Sequence, residues 1–261
     1  MDRPAVRVYG NGRSGSAYSD RLRLHGYTIA IYDKDGPAVA LVDGMEEPAL
    51  LAILALPRGS DVPTALTAID PQQVPHVVDL TTQSVALATA NAEQWSILGG
   101  RSYHAGGSNG GERAVRAGYS HLLLGPRTPP PVWAVLRDIG YVTEFPTVEC
   151  AVTLKLCHNA FLVVENQLAR LLAQVCQRRA IPLPYLEKVI DDGPAGRRFG
   201  DLTAIRHLKG GYETSYVGEY AAKDWRYFND LLDPDESDAL RFVDLDVLEQ
   251  VLAARGRGPW V

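Results

Sequence analysis

Residues 5–33, AVRVYGNGRSGSAYSDRLRLHGYTIAIYD, decide the fold. A short β-type run over residues 5–9 leads into Gly10-Asn11-Gly12-Arg13-Ser14-Gly15. A helix-like segment reaches His25, Gly26 breaks it, and a second strand over residues 27–32 ends at Asp33. In this strand–turn–helix–strand context each glycine has its own reason. Gly10 allows the tight turn, Gly12 lets the backbone approach a pyrophosphate, and Gly15 lets the helix lie close on the strand. The helix N-terminus offers free N–H groups to the anion. Asp33, about twenty residues on, can take both ribose hydroxyls of NAD and repel a 2′-phosphate. Lys34 and Arg13 are the nearby cations that bear on that choice, so NAD is the expected cofactor and NADP the alternative. A glycine turn with no ligand is the bland alternative.

Outward from this unit, further short apolar runs follow at α/β intervals: residues 50–56 ending at Pro57, 76–80 ending at Thr81-Thr82, 95–98, and 121–124 ending at Gly125. Near-continuous apolar runs suit parallel strands covered on both faces. The sequence predicts a doubly wound α/β sheet in which ligands collect beyond the carboxyl ends of the strands. There Thr81 and a glycine loop at 106–111 can hold a carboxylate or phosphate. Thr81 serves equally well as a helix cap.

A second unit begins at Val148. Residues 148–179 contain neither Pro nor Gly, follow Pro146, and close on Gln177, Arg178 and Arg179. At ~1.5 Å per residue this predicts one helix about 45 Å long, apolar on several faces and therefore expected to be buried. Lys155, His158 and Asn159 recur at spacings of three and four, on one face. A buried lysine loses charge more readily and can exchange protons near neutral pH, whereas a snorkelling lysine keeps its ammonium in water. Beyond residue 181 come shorter helical segments, 185–191, 201–208, 217–232 and 245–255, with an aromatic group of Tyr212, Tyr216, Tyr220, Trp225, Tyr227 and Phe228. The expected division is 1–147, a Rossmann-type dinucleotide-binding domain, and 148–261, a smaller all-helical substrate and dimerisation domain.

Composition narrows the function classes. The net charge of −5 argues against a nucleic-acid surface. Cys150, Cys157 and Cys176 lack CxxC spacing, which suits reduced thiols and a cytoplasmic setting. The sequence enters a strand at once, so no signal peptide is expected. The longest apolar run, 49–56, is too short to cross a bilayer. No metal-ligand spacing and no GxSxG elbow occur, so neither metal nor serine hydrolysis is expected.

Over most of its length the chain resembles the β-hydroxyacid dehydrogenases, the family of 3-hydroxyisobutyrate, tartronate-semialdehyde and 6-phosphogluconate dehydrogenases. The resemblance rests on order and spacing: Gly10, Gly12 and Gly15; Leu56-Pro57; Asp79-Leu80-Thr81-Thr82 for Asp-x-Ser-Thr; Asn109-Gly110-Gly111 for Ser-Gly-Gly; Lys155-Leu156-Cys157-His158-Asn159 for Lys-x-x-Asn-Asn; and Lys223-Asp224. It departs where Pro146, Glu149 and Ala151 stand in place of the family's glycines, and at His158 and Asn109. The resemblance implies hydride transfer between a nicotinamide cofactor and a small hydroxy acid or oxo acid, with Lys155 as general acid/base and Asn159 orienting. It further implies cofactor contacts from Asn11, Arg13, Ser14, Leu56, Pro57, Thr81 and Lys223. Substrate contacts would come from Thr81, Asn109, Gly110, Gly111 and His158, and a homodimer would form through the helical domain. An imine reductase of the same architecture is the rival, although that group carries Asp or Tyr where this chain has Lys155. A protein that binds NAD(P) without catalysis is the other.

Overall fold

The computed structural model describes residues 3–35, 38–44, 47–192 and 219–232. The chain divides into two compact units, Met1–Lys155 and Leu156–Val261. The division falls inside the long helix instead of before it.

The first unit is built on strands β1 (Val6–Tyr9), β2 (Ile29–Asp35), β3 (Ala38–Asp43), β4 (Leu51–Leu54), β5 (His76–Asp79), β6 (Ser102–Asn109), β7 (Ser120–Gly125) and β8 (Gly140–Glu144). They form one sheet in the order β3-β2-β1-β4-β5-β6-β7-β8. Pairing is parallel from β2 through β1, β4 and β5 to β6, and again between β7 and β8. It is antiparallel at β2–β3 and β6–β7. Helices α1 (Arg13–Leu24), α2 (Val62–Thr67), α3 (Val85–Ile97), α4 (Gly111–Ala117) and α5 (Pro130–Ile139) lie between the strands. Every residue of β1 and β4 is buried, as parallel strands covered on both faces require. Val6, Val8, Leu51 and Ile53 share one core with Ala17, Tyr18 and Leu22 of α1 and with Val132, Val135, Leu136 and Ile139 of α5. Fully burying one such side chain contributes roughly 1.5–3 kcal/mol, so this shared core fixes α1 against the sheet.

From β1 the chain moves to β2 on one side and returns to β4 on the other. This reversal opens a crevice beyond the carboxyl ends of β1 and β4. Gly10 closes the bottom of it. Its N–H donates to the Tyr32 carbonyl at 2.7 Å, and at φ +102 it occupies backbone space that favours glycine.

Three expectations need correction. Residues 95–98 form no strand: Trp95 and Ile97 end α3, and Leu98 caps it before Gly99 turns the chain. A short, mostly apolar run looks alike at a helix end and in a short strand. The run 106–111 is not a loop either. Gly106 to Asn109 belong to β6, and glycine is there because neighbours come close. A Cβ on Gly106 would lie 2.1 Å from the Leu123 carbonyl oxygen, and one on Gly107 would lie 2.8 Å from Cε of Lys155. Only Gly110 and Gly111 turn the chain. Finally, β7, expected as a parallel strand, runs antiparallel to β6, with Asn109 opposite His121. Adjacent antiparallel strands need no full crossover, and the short α4 suffices to join them.

Helix α6 (Val148–Arg178) runs unbroken for 31 residues and crosses the division. In the second unit, Ala160, Val163 and Trp225 form a buried cluster with Val164 and Phe228; Trp225 lies on α8 (Glu219–Asn229). Within the single chain the helix is not buried all round: Phe161, Leu168 and Val175, seven residues apart, are exposed. Between α6 and α8 in the chain lies α7 (Leu183–Asp192). Tyr212, Tyr216 and the helices expected at 201–208 and 245–255 lie outside the described residues. Among the described residues no helix is long and apolar enough to cross a membrane, and no group of three or more His, Cys, Asp or Glu side chains could hold a metal ion.

Candidate functional site

The turn after β1 supplies the first part of the site. α1 begins at Arg13 with Gly12 as its cap, and the cap makes no side-chain hydrogen bond to the first turn. The first N–H groups of a helix have no acceptor within it, which makes this end of α1 a candidate anion site. The three glycines differ physically. A Cβ on Gly15 would fall 1.7 Å from the Gly10 carbonyl oxygen, and a Cβ on Gly10 2.4 Å from that of Ala55. Both are demanded by the protein's own packing. A Cβ on Gly12 would meet nothing within 4 Å. The space in front of Gly12 is therefore clear of protein, as a cradle for a pyrophosphate requires.

Asp33 stands at the rim of this crevice, just beyond the β1–β2 pairing. Its Oδ2 accepts the Asn11 N–H at 2.9 Å and its Oδ1 accepts the Lys34 N–H at 2.7 Å. Two backbone donors fix the carboxylate's orientation next to the glycine turn. The Lys34 ammonium donates to Asp61 Oδ1 at 2.6 Å, and Arg13 Nε lies 3.7 Å from Glu112. Asp61 lies on the turn after β4, and only the sheet order brings it to Lys34. No sequence signal marks the pair.

On the other wall, Leu56 and Pro57 follow β4, and Thr81 follows β5. Thr81 is buried, and its Oγ1 accepts the Leu56 N–H at 3.1 Å. Its hydroxyl therefore ties the two strand ends together. The helix cap is Ser84, whose Oγ accepts the Leu87 N–H. Behind Thr81 lies Asp79, fully buried, which accepts the Thr81 N–H (2.9 Å), the Gln83 amide (2.6 Å) and the Tyr103 hydroxyl (2.6 Å). Burial raises the Asp79 carboxyl above its ordinary value despite these donors. The same burial, with the carboxylate beside it, drives Tyr103 well above the normal phenol range. Tyr103 escapes sequence reasoning because it lies on β6, apart from Asp79's motif, and Gln83 follows that motif directly without any pattern that marks it.

Lys155 forms the third part. It is 5% exposed, its stem lies over Gly107, and Nζ donates to the Ser108 carbonyl at 2.8 Å and to Asn109 Oδ1 at 2.7 Å. It does not snorkel. Ser108 is bonded in turn to the Tyr18 hydroxyl of α1, whose pKa burial pushes up to about 12. Gly110 (φ +100) and Gly111 (φ +64) follow in left-handed backbone, and nothing lies within 4 Å of a Cβ on Gly111. The lysine is thereby coupled through β6 to the helix that opens the nucleotide turn. Tyr18 and Ser108 are additions that no motif announced.

In the second unit, Asn159 is 1% exposed and donates from Nδ2 to Asp224 Oδ2 at 2.8 Å. Lys223 Nζ lies 3.5 Å from Asp224 Oδ1, and the His158 ring is 3.4 Å from Asn159 Oδ1. The sequence-distant pairs Asn159 and Lys223-Asp224 thus share one buried polar cluster.

His104, which from its place beside the glycine run could have met a substrate, is committed elsewhere. Its ring bonds Pro126 O at 2.9 Å and Ser102 Oγ at 2.8 Å, and Ser102 Oγ also meets His76 Nδ1 at 2.7 Å. Ser102 borders an open cavity of about 400 Å³ lined also by Trp95, Arg101, Tyr103 and Pro146. Burial, foremost, lowers the pKa of both histidines; for His76 the neighbouring His104 and Arg101 add to it. In the unfolded chain these imidazoles bind protons below about pH 6.5, whereas in the fold they resist until lower pH. The unfolded state then holds more protons, so stability falls as pH drops below about 6.5. Thermal unfolding followed from neutral to mildly acid pH should show that fall, and His104→Gln should flatten it. An unchanged slope in the variant would rule the pair out as its source.

No protein-family model matches the sequence, and no curated protein matches it. Comparison of three-dimensional structures does find likenesses. A 3-hydroxyisobutyrate dehydrogenase of Mycobacterium tuberculosis, solved with L-serine, aligns at TM-score 0.72 and 15% identity over 90% of this chain and 91% of that one. Psf3, solved with NADP+ and 2-OPP, aligns at TM-score 0.73 and 18% identity over 88% of each chain. An imine reductase variant from Myxococcus stipitatus, solved with NAD+, aligns at TM-score 0.60 and 19% identity over 79% and 77%. At these identities what is shared is architecture: the chain has the fold of the 3-hydroxyisobutyrate dehydrogenases.

Proposed function

We propose that this protein is an NAD(P)-dependent oxidoreductase that interconverts a small hydroxy acid and its oxo acid or aldehyde. The observation that carries this is Lys155: a buried lysine whose ammonium is held on β6, in a chain that opens with a dinucleotide turn. A bound nicotinamide supplies the hydride chemistry; the chain's residues bind, orient and move one proton. The first-turn N–H groups of α1, with Asn11, Gly12, Arg13 and Ser14, hold the pyrophosphate. Asp33 takes the ribose hydroxyls, which favours NAD, and Leu56, Pro57 and Thr81 shape the opposite wall. In reduction, Lys155 Nζ gives a proton to the substrate's carbonyl oxygen; in oxidation the amine takes it from the hydroxyl. Thr81, Asn109, Gly110 and Gly111 hold the substrate's acidic group. Asn159 and His158 orient the substrate, and Lys223 closes over the cofactor. Residues 148–261 act as the substrate and dimerisation domain; the exposed Phe161, Leu168 and Val175 suit a helix that meets a second copy. Free Cys150, Cys157 and Cys176 suit a cytoplasmic enzyme.

The test is absorbance at 340 nm over a panel of small 2-oxo and 3-oxo acids, semialdehydes and cyclic imines, with NADH and NADPH side by side. Turnover of an oxo acid or aldehyde is the expected result. Turnover of imines alone would make the protein a reductase of that rival group. Tight NADH binding with no turnover would mean a binding protein without catalysis.

A further inference from the structure

We infer that Asp61 sets this chain's discrimination between NAD(H) and NADP(H), by locking the Lys34 ammonium that would otherwise receive a 2′-phosphate. The inference rests on the proposed cofactor site and concerns a residue outside its motif. Lys34 directly follows the ribose-binding candidate Asp33, so its side chain stands where an added phosphate would arrive. A free ammonium there would favour NADP(H). It is held instead by Asp61 Oδ1 at 2.6 Å.

Asp61 is well placed to hold it. Its side chain is only 15% exposed against 52% for Lys34, so the carboxylate is the fixed partner and the lysine the mobile one. Its N–H donates to the Arg58 carbonyl at 3.0 Å within the 3-10 turn Gly59–Asp61. Asp61 also occupies the N-cap of α2, where an aspartate ordinarily accepts a backbone N–H of the first turn. Here it makes no such bond. The carboxylate forgoes its local helix and turns to a cation 27 residues away. The helix terminus still favours its charge.

Asp33, Asp61 and Lys34 together carry one net negative charge at the ribose end. A 2′-phosphate, itself carrying between one and two negative charges near neutral pH, meets net repulsion and an ammonium already paired. Neutralising Asp61 removes one negative charge and frees the ammonium in a single step. NAD(H), with only hydroxyls there, barely notices either change.

Binding of NADH and NADPH, titrated by nucleotide fluorescence, tests this without recourse to turnover. The proteins compared are the unaltered chain, Asp61→Asn, Asp61→Ser and Asp61→Asn/Lys34→Met. Asp61→Ser keeps a good helix cap, so a result shared by both single variants does not come from a damaged α2. In both, NADPH should bind about tenfold tighter, the weight of one charge-assisted hydrogen bond to phosphate, while NADH stays within about twofold. The gain should shrink at high salt and disappear in the double variant. An unmoved NADH/NADPH ratio in both single variants would overturn the role of Asp61. A gain that survives Lys34→Met would overturn the locking mechanism, assigning the phosphate to another cation such as Arg58. If the unaltered chain binds neither nucleotide, the proposed function falls and this inference with it.

Discussion

Lys155→Met should lower turnover by about 10²–10⁴-fold, the usual weight of a general acid/base, while NADH binding stays within a few-fold. Methionine is the informative replacement because it keeps an unbranched stem over Gly107, where the absence of a Cβ leaves room for that stem. What it removes is the donor to Ser108 O and Asn109 Oδ1. Two acceptors left without that donor cost about 1–3 kcal/mol each. Offsetting this, a charged group no longer has to be buried. The variant should therefore fold with a modest change in stability, and a collapse of kcat can be read as lost chemistry. Lys155→Arg should fail to rescue: a guanidinium is wider and does not release its proton near neutral pH. Measuring kcat against nucleotide affinity in the same preparation decides the matter. If turnover survives in the methionine variant, Lys155 is a structural lysine and the proton comes from elsewhere.

How much of this could be read from the sequence varied with the range of the interactions. The turn Gly10–Gly15 and the strand positions of β1, β2, β4 and β5 were legible, because local periodicity and glycine spacing specify them. So was α6, from its length without Gly or Pro. What failed were features decided by neighbours distant in the chain. Gly106 and Gly107 read as a loop because glycine is a breaker, yet they sit in a strand because Leu123 and Lys155 press on it. The candidate site divides the same way. Lys155 and Asn159 stand out by pattern, whereas Tyr18, Ser108 and Asp61 enter only once α1, β6 and the turn after β4 are in place. His104 had the right neighbours in the chain and the wrong ones in space: Pro126 and Ser102 occupy its ring.

The glycines of the turn separate folding from ligand binding more sharply than any other pair of residues here. Gly15→Ala should destabilise the first unit by about 3 kcal/mol, at the upper end for overpacking, since the new methyl falls 1.7 Å from a backbone oxygen that cannot swing away. That is a fall in unfolding temperature of roughly 10 °C for a unit of this size. Gly12→Val should behave in the opposite way. Gly12 has φ −73 and ψ −169, backbone that a branched residue adopts without strain, and a Cβ there meets no protein atom. Packing gives no reason for a glycine at that position, and a branched residue in place of glycine at the cap of α1 should cost no more than about 1 kcal/mol, well below the loss in Gly15→Ala. The reason has to be the occupant: a pyrophosphate that needs the backbone within hydrogen-bond reach would meet the isopropyl group, and NADH affinity should fall about 10–100-fold. Unfolding temperature and NADH titration on the two variants give a crossed result if the turn is a nucleotide site. A loss of stability in Gly12→Val as large as that in Gly15→Ala, or NADH binding that it leaves unchanged, would mean that the glycine turn serves the fold and holds no dinucleotide.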